Sequence, residues 1–406
     1  MASKRGPRLV LAVSVLAGIA NTVLFPLRNP QQVALASDVY YYAARAAFAG
    51  ADFYAVNPIG QTGFRYPPVV VLAFYPHGLL GDPALAFALQ TLLNLAALAG
   101  ILVLALRVLD HADVELERLD VVLVSAFVFL VGPVGVNLVM GQVNLVLAFG
   151  IAAGAVLVLR GREPAGGVAF GFVALVKLFP ALVGAWLLRQ RAWGAIAAAT
   201  ATGVLGLAAG GLVFGPATTA TYLTDTLAHE ASVGSFAGGP DPTAPFVTVR
   251  RQLTAVFPGL PADWLLPASA VVLAPVFVGV NRVVDTLRSR LVALQGTLLA
   301  ALAMFPLEPF YVVLAFFPLV PLLYLLDAGR ERRLVLTGAV LLAVPVSWES
   351  VLTVAVLLPG GVESVARSVA GAAFGFALPP TVGMWLVLAA CLLFQHRAAS
   401  EADEAV

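Results

Sequence analysis

A chain of 406 residues that is 61% hydrophobic and only 11% charged cannot cover a water-facing surface of ordinary polarity. This composition excludes a soluble globular protein. Apolar stretches of about 20 residues, the length that crosses a bilayer, recur throughout and predict an all-α integral membrane protein that is multi-pass in the cell membrane. The net charge of +1 excludes a basic surface for nucleic acid, and the single cysteine, Cys391, excludes an intramolecular disulfide or a thiolate metal cluster.

The apolar segments predict a single transmembrane domain, residues 1–406, with about 12 membrane helices and both termini in the cytoplasm. The first span is expected to remain uncleaved, although Lys4, Arg5 and Arg8 before it resemble the start of a signal peptide. Two of the helices are the arms of a short hairpin. The other predicted spans are 9–27, 83–106, 119–139, 142–159, 192–214, 264–281, 291–305, 309–326, 334–357 and 382–395.

Residues 165–188 predict that hairpin rather than a single crossing. Arginine pairs flank the segment, Arg160 with Arg162 and Arg189 with Arg191. A single crossing would place these last two and two later arginine clusters opposite the basic N-terminus, against the positive-inside rule. A hairpin keeps them all on the cytoplasmic side. Its turn, which contains Lys177, then lies within or near the outer half of the bilayer.

The first outer loop, residues 28–82, contains the sequence ASDVYYYAARAAFAG and predicts a short juxtamembrane helix. One face of this helix is polar, with Asp38, Tyr41, Tyr42 and Arg45 at positions i, i+3, i+4 and i+7. The other face, which includes Tyr40, is classed as apolar. The helix is expected to lie along the outer surface with its polar face toward an active site. Alternatively, Asp38 only favours the helix N-terminus and the tyrosines form an interfacial belt.

Three further groups add candidate site residues. The sequence GFRYPP places Arg65 and Tyr66 before a rigid Pro-Pro pair, and MGQVN places Gln142 and Asn144 at an outer turn. Lys177 is a functional candidate because an ionisable group at membrane depth is costly. The simpler alternatives are snorkelling of the cations to the interface and an ordinary hydrogen bond between helices for Gln142.

The second large outer loop, residues 215–263, is rich in Gly, Pro and Thr and is expected to be irregular. Arg250 and Arg251 in this loop, and Glu308 in FPLEPFY, are candidates for contacts with an acceptor. Weaker or unassigned candidates are His229, Glu230 and Glu349.

A carboxylate, cations and tyrosines at the outer face suit the chemistry of a lipid-phosphate sugar donor. A carboxylate can take the proton of an acceptor hydroxyl as that hydroxyl attacks the anomeric carbon. Lys or Arg can stabilise the phosphate that departs. One base is sufficient for a single displacement, which inverts the anomeric configuration.

These residues resemble glycosyltransferase family 87, the polyprenyl-phosphate-mannose-dependent membrane mannosyltransferases with the GT-C fold. The resemblance rests on Asp38 with tyrosines soon after it, FRYPP, GQVN and the hairpin AGGVAFGFVALVKLFP, and it covers mainly residues 1–195. It implies transfer of a sugar, mannose in the family, from a polyprenyl-phosphate donor within the membrane lipid to a glycolipid or glycan acceptor. It also implies that Asp38 is the catalytic base and Lys177 the hairpin lysine of the family.

The main alternative from another class is a secondary transporter or flippase of a lipid-linked or small polar substrate. Such proteins usually contain repeats with two corresponding broken helices and ionisable groups at the midplane. This chain shows one broken hairpin, no repeat and polar groups on one side. It has no HExxH, CxxC, P-loop or Asp-x-Asp sequence, so we expect no cofactor and no required metal.

Overall fold

The structure is a computed structural model that describes residues 4–57, 63–227, 235–344, 346 and 348–404. Within these residues it is nearly all helical, and β-structure is limited to an isolated bridge between Val247 and Leu307. The first eleven α-helices among the described residues are α1 Arg5–Arg28, α2 Leu35–Phe48, α3 Tyr75–Leu79, α4 Pro83–His111, α5 Arg118–Leu130, α6 Gly132–Met140, α7 Asn144–Leu159, α8 Glu163–Val176, α9 Gly184–Arg189, α10 Trp193–Phe214 and α11 Pro216–Thr221. Those that follow are α12 Arg250–Val256, α13 Ala262–Val280, α14 Leu287–Met304, α15 Phe316–Leu325, α16 Arg330–Ala343, α17 Trp348–Ala355, α18 Gly360–Phe376 and α19 Pro379–Glu404.

Short 3₁₀ segments interrupt this helical course. They lie at Pro30–Gln32, Pro68–Phe74, Phe179–Val183 and Pro309–Ala315, and a π-helical turn covers Tyr222–Thr226. Each 3₁₀ segment has proline at its first or second position, where the missing N–H has no intrahelical partner to lose.

Six helices within the described residues are long and apolar enough to cross a membrane: α1, α4, α10, α13, α14 and α19. A seventh span results if α5 and α6, which meet at an angle of 41°, are taken together. The remaining predicted spans consist of shorter helical segments. The helices have the length and composition of a multi-pass membrane protein, with six or seven full-length spans.

Besides the span that α5 and α6 share, two further predicted spans are divided. The prediction of one helix over 334–357 is wrong, because α16 ends at Ala343 and α17 begins at Trp348. Pro345 explains the end of α16, since a proline disfavours helical geometry in the residue before it. The predicted span 309–326 begins as the 3₁₀ segment Pro309–Ala315 and becomes α-helical only at Phe316.

The chain forms two compact units. The N-terminal unit comprises Ile19–Leu130 and Val134–Ala231, and the C-terminal unit comprises Met1–Gly18, Val131–Pro133 and Ser232–Val406. The predicted hairpin and the first outer loop belong to the N-terminal unit. The prediction of a single transmembrane domain stays a prediction.

In the N-terminal unit, α8 and α10 run side by side in the same direction. A Cβ built on Gly167 would lie 2.2 Å from the carbonyl oxygen of Ala195, and one on Gly206 would lie 2.5 Å from Leu175. Contacts therefore advance along both helices together. Parallel neighbours joined by so short a connection require the chain to return before α10 begins, so residues 163–194 go in and come back, as the arginine pattern predicts.

The C-terminal unit is built around α14, which is buried on nearly all sides. Beside it α16 and α19 approach closely, because a Cβ on either Gly338 or Gly383 would lie 2.7 Å from the carbonyl oxygen of the other. Gln395 fixes α19 to the segment before α14 through bonds to the N–H and carbonyl of Val283, at 2.7 and 3.0 Å.

Candidate functional site

Helix α2 is held at its N-terminal end and stopped by a glycine at its C-terminal end. Ala34, in the left-handed region at φ 59°, precedes the helix and donates its N–H to the carbonyl of Val139 at 2.9 Å. Ala34 therefore occupies the N-cap position of α2. Gly50, at φ 66°, follows the C-terminal end, in the backbone conformation that glycine adopts without strain.

One face of α2 is open. Asp38 is half-buried, Tyr42 is 38% exposed and Arg45 is exposed, and these positions are spaced i, i+4 and i+7. The fourth residue of the predicted polar face is different, because Tyr41 is buried and packs edge-on against Tyr42 with ring centroids 5.0 Å apart. The predicted face is therefore present without Tyr41.

Asp38 carries the acidic group on this open face. Its carboxylate has no hydrogen-bond or ion-pair partner among the described residues. Partial burial raises the pKa of Asp38 above the usual value of a carboxyl group, because desolvation disfavours the charged form. A half-buried carboxylate whose proton affinity is increased in this way is suited to accept a proton.

Tyr40 lies on the buried side of α2, as the sequence pattern predicts, but its hydroxyl has a polar role that the pattern did not indicate. Its ring is buried and stacks on Phe74, with centroids 4.1 Å apart and an interplanar angle of 12°. Its hydroxyl lies 3.2 Å from the hydroxyl of Tyr66, donates to Oε1 of Gln142 at 3.4 Å and accepts from the N–H of Val143 at 3.3 Å. Tyr40 is therefore a polar junction between α2, FRYPP and MGQVN.

A chain of buried amides continues from this junction into α4. The side chain of Asn94 donates to the carbonyl of Gln142 at 2.9 Å, and Gln90 donates to Asn94 at 3.2 Å. Nε2 of His77 lies 3.1 Å from Oε1 of Gln90. The sequence contained a signal for this network, since Gln90 and Asn94 are polar residues at i and i+4 in an otherwise apolar span.

The MGQVN turn divides its two predicted site residues. Gln142 is half-buried and joins the Tyr40 junction. Asn144 is fully buried and donates to Oδ1 of Asn137 at 2.9 Å, behind the turn. Asn144 therefore supports the shape of the turn, and Gln142 is the more exposed of the two residues.

The FRYPP segment is held by aromatic packing. The Tyr54 hydroxyl donates to the carbonyl of Tyr66 at 2.8 Å, and the ring of Phe64 lies 5.3 Å from that of Tyr66. Burial, then Tyr222 and Asp52, raise the pKa of Tyr54, so its hydroxyl remains a donor. Arg65, in the same segment, is exposed.

Lys177 lies where α8 ends. Its backbone is extended, at φ −135° and ψ 122°, and its side chain is half-buried. Leu175 packs at Gly206, and a Cβ built on Gly210 would lie 3.1 Å from the backbone N of Val69, so Lys177 and the Pro-Pro segment lie at neighbouring levels along α10. The fourteen residues of α8 place Lys177 about 20 Å from the start of the hairpin.

Arg250, Arg251 and Glu308 lie in the C-terminal unit. The fully buried Arg251 donates to the carbonyls of Phe246 and Asp241, both at 3.0 Å, and also to those of Ala244 and Phe374. Burial lowers its pKa to about 10, so it remains charged at neutral pH. These bonds to backbone carbonyls give Arg251 a structural role, and its role in substrate binding stays a prediction.

Arg250 and Glu308 lie beside the backbone hydrogen bonds that join residues 247–249 to residues 303–307. Arg250 is buried and follows Val249, whose N–H donates to the carbonyl of Ala303 at 2.9 Å. Glu308 is half-buried and follows Leu307, which forms the bridge to Val247. His229 and Glu230 lie outside the described residues, and so does the side chain of Glu349.

Comparison with known proteins agrees with these observations. Residues 64–309 match the model of glycosyltransferase family 87, a range that includes Arg65, Gln142 and Lys177 and begins after α2. The chain is 31% identical over 231 residues to the polyprenol-phosphate-mannose-dependent alpha-(1-2)-phosphatidylinositol pentamannoside mannosyltransferase of Mycolicibacterium smegmatis, covering 56% of this chain and 54% of that protein.

A second relative from the same organism is the polyprenol-phosphate-mannose-dependent alpha-(1-2)-phosphatidylinositol mannoside mannosyltransferase. It is 28% identical over 214 residues, 49% of this chain and 48% of that protein. The chain thus spans about half the length of the curated relatives it matches. The family match itself covers more than half of the chain and confirms the resemblance seen in FRYPP, GQVN and the hairpin: the chain belongs to glycosyltransferase family 87.

Proposed function

We propose that this protein is a membrane glycosyltransferase that moves a sugar, mannose in the first instance, from a polyprenyl-phosphate donor to an acceptor hydroxyl at the extracytoplasmic face. Membership of the family supports the reaction class, and the names of both relatives support the donor. Those names also favour a phosphatidylinositol mannoside, a glycolipid, as the first acceptor to test.

The observation that carries the mechanism is the half-buried, unpartnered carboxylate of Asp38 among the described residues. The acceptor oxygen attacks the anomeric carbon and its proton passes to Asp38. A new carbon–oxygen bond forms as the bond to the donor phosphate breaks, and polyprenyl phosphate leaves with the bonding electron pair. One displacement of this kind inverts the anomeric centre.

Lys177 and Arg65 are assigned to the phosphate. Both belong to the N-terminal unit with Asp38, and Lys177 lies at a level of α10 next to the segment that carries Arg65. A cation near a departing phosphate stabilises charge that grows in the transition state. The exposed side chains of Tyr42 and Arg45 can contact the sugar or the lipid from the open face of α2.

The proposal includes a GT-C-type bundle of about 12 membrane helices with cytoplasmic termini. Shorter apolar helices such as α7, α8 and α15 support this count, since they add membrane-embedded segments to the six or seven full-length spans. The hairpin formed by residues 163–194 supports the placement of Lys177 toward the outer side.

The test uses the purified full chain, polyprenyl-phosphate mannose and a phosphatidylinositol mannoside, and measures release of polyprenyl phosphate. We expect Asp38→Asn to lower kcat by about 100-fold or more, the range of general base catalysis. Asp82→Asn is the matched control, because exposed Asp82 only caps α4 by accepting the N–H of Ala84 and asparagine caps equally well. Equal turnover by Asp38→Asn and wild type would remove Asp38 from the mechanism.

A second pair of variants tests the phosphate role. Lys177→Ala should weaken use of the donor, whereas Lys177→Arg should retain most of it because the positive charge remains. An unchanged donor dependence in Lys177→Ala would assign this lysine to structure. Uptake of labelled solute by liposomes containing the wild-type protein tests the transporter alternative.

A further inference from the structure

Tyr40 occupies the point where three segments of the N-terminal unit meet. Its hydroxyl contacts the Tyr66 hydroxyl at 3.2 Å, Oε1 of Gln142 at 3.4 Å and the backbone N of Val143 at 3.3 Å. These partners are 26, 102 and 103 residues away in sequence. One hydroxyl therefore joins α2, FRYPP and MGQVN.

The segments joined in this way carry the groups to which we assign chemistry. Asp38 stands two residues before Tyr40 on α2, and Arg65 immediately precedes Tyr66. The hydrogen bond between the two tyrosines thus connects the backbone that carries the candidate base to the backbone that carries a candidate phosphate ligand.

Tyr40 itself faces away from the reaction. Two residues along an α-helix correspond to a rotation of about 200°, so Tyr40 and Asp38 project from opposite sides of α2. The Tyr40 side chain is only 1% exposed and its ring is stacked on Phe74. It can affect Asp38 only by setting the rotation and depth of α2.

The MGQVN turn has a second anchor that does not depend on Tyr40. The carbonyl of Gln142 accepts a bond from Asn94 of α4, which in turn is bonded to Gln90. Removal of the Tyr40 hydroxyl would therefore leave the turn in place. It would break the hydroxyl bonds that link α2 to FRYPP and MGQVN, so that α2 would keep the backbone bond of Ala34 to Val139 and the ring contacts of residue 40 but lose the polar link that sets its rotation.

We propose that the Tyr40 hydroxyl is a positioning group that keeps Asp38 and Arg65 at one fixed separation, so that base and phosphate ligand engage the same donor molecule. This inference rests on the proposed function for the roles of Asp38 and Arg65. The juxtaposition of Tyr40, Tyr66 and Gln142 does not depend on those roles.

The kinetic test compares Tyr40→Phe, Tyr66→Phe and the double variant, each of which retains the rings and loses hydroxyls. We expect kcat to fall between about 10-fold and 100-fold in Tyr40→Phe with little change in KM, because a displacement of about 1 Å affects the chemical step more than binding. The double variant should be no slower than the slower single variant, since both remove one shared bond.

Tyr75→Phe is the matched control, because Tyr75 packs its ring on Phe48 and its hydroxyl has no hydrogen bond among the described residues. It should retain the wild-type kcat. A Tyr40→Phe enzyme within twofold of wild type, or single effects that multiply in the double variant, would overturn the proposal.

A distance measurement separates this proposal from the enzymatic one. Spin labels on Arg45→Cys and Arg65→Cys, in a Cys391→Ala background, report the separation of α2 and FRYPP without any turnover. Tyr40→Phe should broaden the distance distribution, and Tyr75→Phe should not. An unchanged distance distribution in Tyr40→Phe would contradict the positioning role of Tyr40, even if the protein is a transferase. A broadened distance distribution, together with no turnover of the donor by the wild type, would contradict the proposed function alone.

Discussion

Glu163 accepts a hydrogen bond of 2.9 Å from the backbone N–H of Gly194. Glu163 begins α8, the first arm of the hairpin, and Gly194 lies at the start of α10, the helix that follows the hairpin. Both ends of the hairpin therefore lie at the same end of α10. The N–H groups at the start of a helix favour a nearby carboxylate, so this contact stabilises the hairpin with its two ends close together.

The hairpin makes a prediction about topology. In a Cys391→Ala background, cysteines at Arg162 and Arg191 should react with an impermeant thiol reagent from the same side of the membrane. A cysteine at the exposed Thr221, beyond the far end of α10, should react from the opposite side. Labelling of Arg162→Cys and Arg191→Cys from opposite sides would contradict the hairpin.

The raised pKa of Asp38 should affect both the pH dependence of activity and the stability of the fold. A raised pKa means that the folded state binds this proton more tightly than the unfolded chain does, so above that pKa the desolvated carboxylate destabilises the fold. We expect kcat/KM to fall, as pH is lowered, at a higher pH than for an ordinary aspartate. Asp38→Asn, although inactive, should melt at or above the wild-type temperature at pH 7. A clearly lower melting temperature would show that the carboxylate stabilises the fold.

Two glycines with the same backbone angle distinguish strain from crowding. Gly50 and Gly141 both have φ +66°, but a Cβ on Gly50 meets nothing within 4 Å, whereas one on Gly141 would lie 2.8 Å from Cβ of Ser37. Gly50→Ala should cost about 1–2 kcal/mol, the cost of left-handed backbone for alanine. Gly141→Ala should cost more and also lower kcat, because the new methyl group pushes against α2 beside Asp38. Chemical denaturation and turnover assays measure both; equal losses in the two variants would argue against the close contact.

The arginine pattern was sufficient to predict the hairpin because the positive-inside rule acts on residue order alone. Asp38, Tyr42 and Arg45 were likewise predictable, since helical spacing places them on one face. Tyr40 was assigned to the correct, buried side of α2, but the polar role of its hydroxyl was missed, because a tyrosine has an apolar ring and a polar tip and two of its bonding partners lie more than a hundred residues away in MGQVN. Sequence periodicity describes one helix at a time and carries no information about such partners.

Arg251 and Arg367 should respond very differently to replacement by methionine. Arg251→Met leaves several backbone carbonyls around a buried side chain without their donor and should lower the free energy of unfolding by at least about 2 kcal/mol. Arg367 pairs with Glu363 one turn away on the partly exposed α18, and such pairs contribute about 0.5 kcal/mol or less. Thermal unfolding of both variants in detergent tests this difference. Similar melting temperatures would contradict the structural role of Arg251.

The Arg251 guanidinium also constrains the order of biosynthesis. Phe374, one of its acceptors, is 123 residues further along the chain, and ribosomes add about 5–20 residues per second, so roughly 6 to 25 seconds separate the two. During that interval the charged side chain has its local acceptors, the carbonyls of Asp241, Ala244 and Phe246, but not the carbonyl of Phe374. The full set of Arg251 hydrogen bonds therefore forms only after α18 has been synthesised, and a chain truncated before α18 would lack the acceptor that ties residues 241–251 to that helix.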